Sequence, residues 1–283
     1  MPDRGSLNIM SKAIVAPGLQ RLAKDFFTKL GWSVQEVAPN GLLSTKGVAG
    51  KELTWGIRFE DDSSFSQLPA PNTYMQTLAT QTTSYDFLDI IAVDKVANTH
   101  RWLEEVVPWL DERLGKRRNR QWGTWTSFLN RFAVDIAAKQ HSALAPLYDK
   151  HRIRTPIPTF FKDGSSSAFR DCSEWLASDI SRIMLVVGDP GAGKSVFALS
   201  LSQHLGTQFK AEPQKYPAPF LIWFSSERPA SFENLISFTL QELKVTDLTV
   251  DAVKFLLSQG RIVLVIDGFD EISRALAHQA EAT

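Results

Sequence analysis

The chain has 283 residues, which is enough for about two domains that each bury a core. Hydrophobic residues make up 43% of it and charged residues 22%, close to globular averages, so neither wholesale disorder nor a membrane-embedded class is indicated. The formal net charge is zero, which removes any global electrostatic attraction to a polyanion such as nucleic acid.

The cysteine content and the hydropathy of the chain indicate the cellular compartment in which it lies. Cys172 is the only cysteine, so the chain alone cannot form a disulfide framework or a zinc site, and a reducing compartment is favoured. No segment has the roughly 18 uninterrupted apolar residues that span a bilayer. The N-terminal MPDRGSLNIMSK lacks the apolar region of a secretory signal. We therefore expect a cytoplasmic protein without a membrane partner.

The first 150 residues are predicted to form a small α/β domain. Apolar residues at helical spacing predict an amphipathic helix from Leu19 to Leu30. Alternating patterns predict strands at 32–37, 52–59 and 85–93, with a short GLLSTK stretch between the first two. Further helices are predicted near 74–82, near 101–114, and along one face formed by Trp122, Trp125, Phe128, Leu129, Phe132 and Ile136.

The pattern changes after a linker at 151–167, which contains two prolines, a glycine and a serine run, so we predict domains at 1–150 and 151–283. Three continuous apolar runs follow, as expected for parallel strands covered on both faces. They are IMLVV (183–187), FLIWF (220–224) and RIVLVID (261–267), separated by helical patterns that begin near Val196 and at Phe232. The predicted fold class is α/β, with a small α/β domain first and a parallel sheet with flanking helices in the second domain.

The segment GDPGAGKS has the spacing of a phosphate-binding P-loop between an apolar run and a helical pattern. Its glycines let backbone N–H groups approach phosphate oxygens, its lysine places a positive charge between the β and γ phosphates, and its serine hydroxyl is suited to ligate Mg²⁺. It predicts binding of ATP or another nucleoside triphosphate by Gly188, Asp189, Pro190, Gly191, Ala192, Gly193, Lys194 and Ser195.

An acidic cluster, DGFDE, follows the third apolar run. Carboxylates at the carboxyl end of a buried parallel strand lie where α/β sheets keep their ligand chemistry, so Asp267 is predicted to hold Mg²⁺ through water. Asp270 or Glu271 is then predicted to polarise the attacking water as a general base.

Together, GDPGAGKS and VLVIDGFDE resemble the NACHT class of P-loop NTPases. The second motif of that class has a small residue after the metal-binding aspartate and an acidic pair beyond one apolar residue, and Gly268, Phe269 and Asp270-Glu271 match it. The resemblance covers about residues 153–275. It implies a switch in which ATP binding and oligomerisation control an N-terminal effector domain, with self-association or protein partners through the NTPase domain.

The chain departs from the pattern of this class in stopping at Thr283, soon after the acidic motif. The resemblance implies that a further strand, the sensor strand, belongs between the P-loop strand and the acidic-motif strand, which would otherwise have unpaired edges. We therefore expect a fragment, a truncated product or one half of a split protein, with weak or absent hydrolysis of its own.

Other functions stay open for the first domain. Its predicted order of helix and strands is compatible with a restriction-endonuclease-like nuclease, but TWGIRFE contains Arg58 and lacks the acid-x-Lys pattern that such enzymes need, so a non-catalytic adaptor is favoured. The basic run 116–120, followed by Trp122 and Trp125, is compatible with nucleic-acid contact, but a solvated linker with core-facing tryptophans is favoured.

The leading hypothesis is therefore an ATP-dependent NACHT-type switch in defence or cell-death signalling. The alternatives are a non-hydrolysing assembly protein and a nuclease effector.

Overall fold

In the computed structural model the described residues are 16–37, 41–60, 85–92, 108, 112, 120–150, 168–178, 183–223 and 231–268. They pack into two compact units, one ending at Leu129 and the other beginning at Asn130. No helix in these ranges is long and apolar enough to cross a membrane. The α/β class predicted for the chain is confirmed, because both units combine β-sheet with helices.

The first unit contains helix α1 and a five-stranded mixed sheet in the order β1-β2-β3-β4-β5. The first three strands are antiparallel neighbours, whereas β4 runs parallel to β3, and β5 parallel to β4. The bounds are α1 Ala16–Lys29, β1 Ser33–Val37, β2 Gly41–Val48, β3 Lys51–Glu60, β4 Phe87–Ala92 and β5 Arg120–Thr124. The helix and the strands predicted at 32–37, 52–59 and 85–93 are confirmed, and the GLLSTK stretch between the first two forms β2.

An aromatic core holds this unit together. Phe26 and Phe27 of α1 are fully buried, and the ring of Phe27 lies 5.1 Å from that of Trp55 on β3. Phe128 completes the cluster, stacked on Trp125 at 5.3 Å. Offset and edge-to-face ring contacts of this kind stabilise a core beyond the area that they bury. The prediction that Trp125 faces the core is confirmed, which removes it from any surface that would stack on nucleic-acid bases.

Hydrogen bonds hold Asp86, the residue directly before β4, against strand β3. The carboxylate of Asp86 accepts hydrogen bonds from the backbone amide of Thr54 at 2.9 Å and from its hydroxyl at 3.1 Å. These bonds, the amide first, together with nearby Lys51, lower the pKa of Asp86, so the ionised form ties the start of β4 to β3. Gly56 also belongs to this junction, because an added Cβ would lie 2.6 Å from the ring of Tyr85.

Several predictions for the first 150 residues had other outcomes. Trp122 was assigned to a helical face but lies in strand β5, and the helix begins only at Trp125. The predicted helical face included Trp122 in error, because β5 ends at Thr124 and the helix begins at the next residue, with no loop between them. The helix predicted at 74–82, the residues 116–119 and most of the helix predicted at 101–114 lie outside the described residues.

The second unit contains two parallel strands, β6 Ala218–Trp223 and β7 Ile262–Asp267, paired from Ala218 with Ile262 to Trp223 with Asp267. Among the described residues, five helices belong to this part of the chain, and the first, α2, begins in the other unit. Their bounds are α2 Trp125–Lys150, α3 Ala168–Ala177, α4 Lys194–Ala211, α5 Phe232–Glu242 and α6 Val250–Ser258. The strands predicted at 220–224 and 261–267 and the helices predicted after them and after the P-loop are confirmed.

The prediction for IMLVV (183–187) is wrong. This segment forms no strand of either described sheet, and most of its side chains are exposed rather than buried, with Ile183 at 81% and Val187 at 77%. A buried strand needs a hydrogen-bonded neighbour, and among the described residues β7 has β6 alone as its neighbour.

Helix α2 belongs to both units. Its first turn, with Trp125 and Phe128, lies in the core of the first unit, whereas its residues from Asn130 belong to the second unit. Asn130 donates to the carbonyl of Pro213 at 2.7 Å, and Lys139 to that of Lys244 at 2.8 Å. The chain therefore divides within α2, whereas the domain limits 1–150 and 151–283 place the division at its C-terminal end and remain a prediction.

Candidate functional site

The loop 188–193 has the backbone conformation that a phosphate cradle needs. Gly191 and Gly193 have φ values of 81° and 87°, in the left-handed region that L-residues with a Cβ rarely adopt. An added Cβ on Gly188 would lie 3.4 Å from the Cβ of Ala192, an ordinary van der Waals distance. Asp189 and Pro190 are exposed within the same turn. The glycines at positions 191 and 193 are therefore explained by the backbone conformation of the loop.

Helix α4 starts directly at the end of this loop. Gly193 caps it without a side-chain hydrogen bond, and the first helical bond runs from the amide of Phe197 to the carbonyl of Gly193 at 2.8 Å. As in any helix, the backbone amides of the first turn have no carbonyl acceptor within the helix. The first turn of α4 contains no acidic residue. A helix start of this kind attracts anions through its dipole and its amide groups.

Two side chains follow the glycines in the first turn of α4. The ammonium of Lys194 donates to the carbonyls of Gly188 at 2.8 Å and Asp189 at 3.2 Å, so it lies across the loop. Ser195 is exposed at the second position of the helix. A cation, a hydroxyl and a helix start are thus gathered at one loop, which fits a phosphate group and its metal ion.

Of the predicted acidic residues, Asp267 lies at the last position of β7 and is 9% exposed. The residue after it, Gly268, has a φ of 83°, so the chain turns sharply as the strand ends. Asp267 therefore lies at the carboxyl end of a parallel strand, as the sequence predicted. Asp270 and Glu271 lie outside the described residues, and their predicted role stays a prediction.

A buried hydrophobic cluster packs helix α4, which carries Lys194, against β6 and α2. Leu199 of α4 packs with Leu221 of β6 and with Leu144 and Tyr148 of α2. Burial raises the pKa of Tyr148 to about 12, although a hydrogen bond with Ser202 of α4 opposes the shift. The Tyr148 hydroxyl is therefore a neutral partner in this core, and α2 helps to position the phosphate loop.

A second cluster supports the segment that enters the loop. Cys172 and Ala168 of α3 pack against Phe197 of α4, and Met184 contacts the same group. The Sγ of Cys172 lies 3.6 Å from the Sδ of Met184. Met184 therefore packs against α3 and α4, although its neighbours Ile183 and Leu185 are exposed.

We expect Cys172 to resist thiol reagents in the folded protein. Burial, aided by the charge of Asp171, raises the pKa of its thiol from an ordinary 9.0 to about 11, so little thiolate is present at pH 8. Release of thionitrobenzoate from Ellman's reagent should be slow until guanidinium unfolds the chain. Equal rates for folded and unfolded protein would contradict this. Because the folded pKa is raised, this contribution to stability is full below about pH 9 and decreases as the pH rises toward 11.

A glycine-rich loop with left-handed glycines, a lysine and serine at the start of the next helix, and an aspartate ending a parallel strand define a P-loop nucleotide-binding protein. The particular family follows from comparison with family models, in which residues 182–283 match the NACHT domain. The C-terminal part of the chain is therefore a NACHT-type P-loop NTPase domain, and the resemblance noted in the sequence is confirmed. No curated protein and no solved structure matches the chain.

The first unit presents no comparable site in its described residues. Its sheet has three antiparallel strands followed by two parallel ones. Strand β3 reads KELTWGIRFE, with Gly56 and Arg58 and no acid-x-Lys pattern. The nuclease-like arrangement and the non-catalytic adaptor therefore both stay predictions for this unit.

Sequence reasoning missed the contribution of α2 and α3 to the site. Tyr148, Leu144 and Cys172 were not singled out as supports of the loop, although all three lie in its packing. The available signal was the helical apolar pattern of α2, which continues past Ile136 through Leu144 and Tyr148. Helix α3 begins directly after the predicted linker, and its short amphipathic pattern went unused.

Proposed function

We propose that the chain is an ATP-dependent signalling switch of the NACHT type. The observation that carries the proposal is the loop 188–193, where Gly191 and Gly193 are left-handed and Lys194 of α4 donates to the carbonyl of Gly188, an arrangement suited to phosphate. Backbone amides of the loop and Lys194 would hold the phosphates, and Ser195 and Asp267 would hold Mg²⁺. The metal would neutralise phosphate charge, and Asp270 or Glu271 would orient the attacking water.

The first unit is proposed to act as the effector or adaptor of the switch, in the cytoplasm and in defence or cell-death signalling. Helix α2 supports this arrangement, because it is continuous from the core of the first unit to the cluster beneath α4.

Sedimentation velocity tests the proposal. A switch should form larger assemblies with ATP than with ADP or without nucleotide, and Lys194→Ala should abolish that difference. Lys210→Ala is the matched control, since Lys210 is exposed in the last turn of the same helix. If assemblies form without ATP and persist in Lys194→Ala, the chain is an assembly protein that does not switch with nucleotide.

A further inference from the structure

The C-terminal part of helix α2, residues 130–150, is bonded both to strand β6 and to helix α4. Nε2 of Gln140 donates to the carbonyl of Leu221 on β6 at 3.0 Å, and both residues are buried. About two turns further along α2, the hydroxyl of Tyr148 shares a hydrogen bond with Ser202 of α4. This part of α2 precedes the residues that match the NACHT domain.

The bond between Tyr148 and Ser202 restrains helix α4 in a way that the surrounding apolar packing does not. Both residues are buried, so water does not compete for the bond. The apolar contacts around it, such as those of Leu199 with Leu144, are non-directional. A hydrogen bond, in contrast, requires a particular distance and angle between its atoms. The two hydroxyls therefore fix the rotation and the axial position of α4 against α2.

Helix α4 connects this bond to the phosphate loop. Ser202 follows Ser195 by seven residues on the same helix, and residues at that spacing lie on the same side of a helix, about 10 Å apart along its axis. The helix is continuous over this length, since it runs from Lys194 to Ala211. A rotation or shift of α4 at Ser202 would therefore displace Lys194 and Ser195 as well.

The bond from Gln140 holds the same part of α2 against the strands that lead to the acidic residue of the site. Leu221, whose carbonyl accepts the bond, pairs with Val265 of β7. Asp267 follows Val265 by two residues and ends the strand. Residues 130–150 of α2 thus join the helix that starts at the phosphate loop to the pair of strands that ends on Asp267.

We propose that Tyr148 is a positioning residue for nucleotide binding, because its bond to Ser202 sets the start of α4 relative to Asp267. The nucleotide-binding unit then includes residues 130–150 and is larger than the range that matches the NACHT domain. Tyr148 acts through the helix that carries Lys194 and not by touching the nucleotide. This role rests on the function proposed above, since it concerns the same phosphate site.

Tyr148→Phe removes the hydroxyl but keeps the ring, so it tests the bond without emptying the cluster. In the full chain, isothermal titration calorimetry with Mg²⁺ and ATP should show an affinity about three- to tenfold below that of the wild type, the effect of one buried hydrogen bond. Ser202→Ala should show a similar loss, and the double variant should lose little more than either single variant, because both substitutions remove one bond. Losses that multiply in the double variant, or wild-type affinity in Tyr148→Phe, would overturn the proposal.

Thr239→Val is the matched control for a purely structural effect. Thr239 of α5 is buried in the same unit, and its hydroxyl donates to the carbonyl of Leu235 at 2.8 Å, inside its own helix. The substitution also removes one buried hydroxyl, and urea unfolding measures how far each variant is destabilised. The affinity of Thr239→Val for ATP should stay within about twofold of the wild type. A loss of affinity as large as that of Tyr148→Phe would show that binding follows stability alone, and the positioning role would be wrong.

Lys194→Ala separates failure of this role from failure of the proposed function. If Lys194→Ala loses ATP binding while Tyr148→Phe binds ATP as the wild type does, the phosphate site stands and the role of Tyr148 is wrong. If the wild type itself does not bind ATP, both are wrong.

Discussion

Lys194→Ala is expected to weaken binding of ATP by about a hundredfold or more. The substitution removes the cation that lies across the phosphate loop, where it donates to the carbonyls of Gly188 and Asp189. A hydrogen bond from a charged donor contributes roughly 1.5–3 kcal/mol, and Lys194 is proposed to contact two phosphates. Isothermal titration calorimetry of both proteins with Mg²⁺ and ATP measures the difference.

Lys210→Ala supplies the control for this measurement. Lys210 lies in the last turn of α4 and is exposed, so its loss removes one positive charge from the same helix without touching the loop. Its affinity for ATP should stay within about twofold of the wild type, because a single exposed charge contributes little. Equal affinities of the wild type and Lys194→Ala would remove the assignment of the loop as a phosphate site.

Phe27→Ala is expected to destabilise the first unit by about 3–5 kcal/mol, the usual effect of truncating a fully buried phenylalanine. Phe27 has no exposed surface, and its ring contacts those of Phe26, Trp32, Trp55 and Phe128. The loss is large because several aromatic contacts end at once, and the cavity left behind is lined by rings that cannot all move to fill it.

Urea unfolding followed by tryptophan fluorescence measures this effect, since Trp32 and Trp55 both contact Phe27. Val48→Ala is the control, because Val48 is a large apolar residue of the same unit that is 44% exposed. Its free energy of unfolding should differ from that of the wild type by less than about 0.5 kcal/mol. Similar losses for the two variants would show that the aromatic cluster is not the stabilising core of the unit.

The sequence predicted the phosphate site better than the surroundings of that site. The glycines, Lys194 and Ser195 follow one another in eight residues, and their chemistry is fixed by local backbone conformation. Asp267 was predictable for a similar reason, because a buried apolar strand ends on it. Local patterns of this kind need no knowledge of distant contacts.

Features that depend on long-range pairing were harder to predict. The apolar run 183–187 has the composition of a buried strand, but a strand also needs a neighbour, and composition does not show whether one is present. The end of β5 and the start of α2 are likewise hidden, because Trp122 and Trp125 have a spacing that fits the helix as well. The hydrogen bond from Nε2 of Gln140 to the carbonyl of Leu221 likewise joins residues 81 positions apart along the chain.

Helix α2 also bears on how a protein of this kind exchanges modules during evolution. A recombination that joined a new N-terminal module at residue 151 would discard Gln140, Leu144 and Tyr148, which cover β6 and α4. A junction ahead of Asn130 would keep them, and the incoming module would need to supply only a helix that continues in phase. A second unit that keeps residues 130–150 of α2 would therefore retain its own packing, whatever module precedes it.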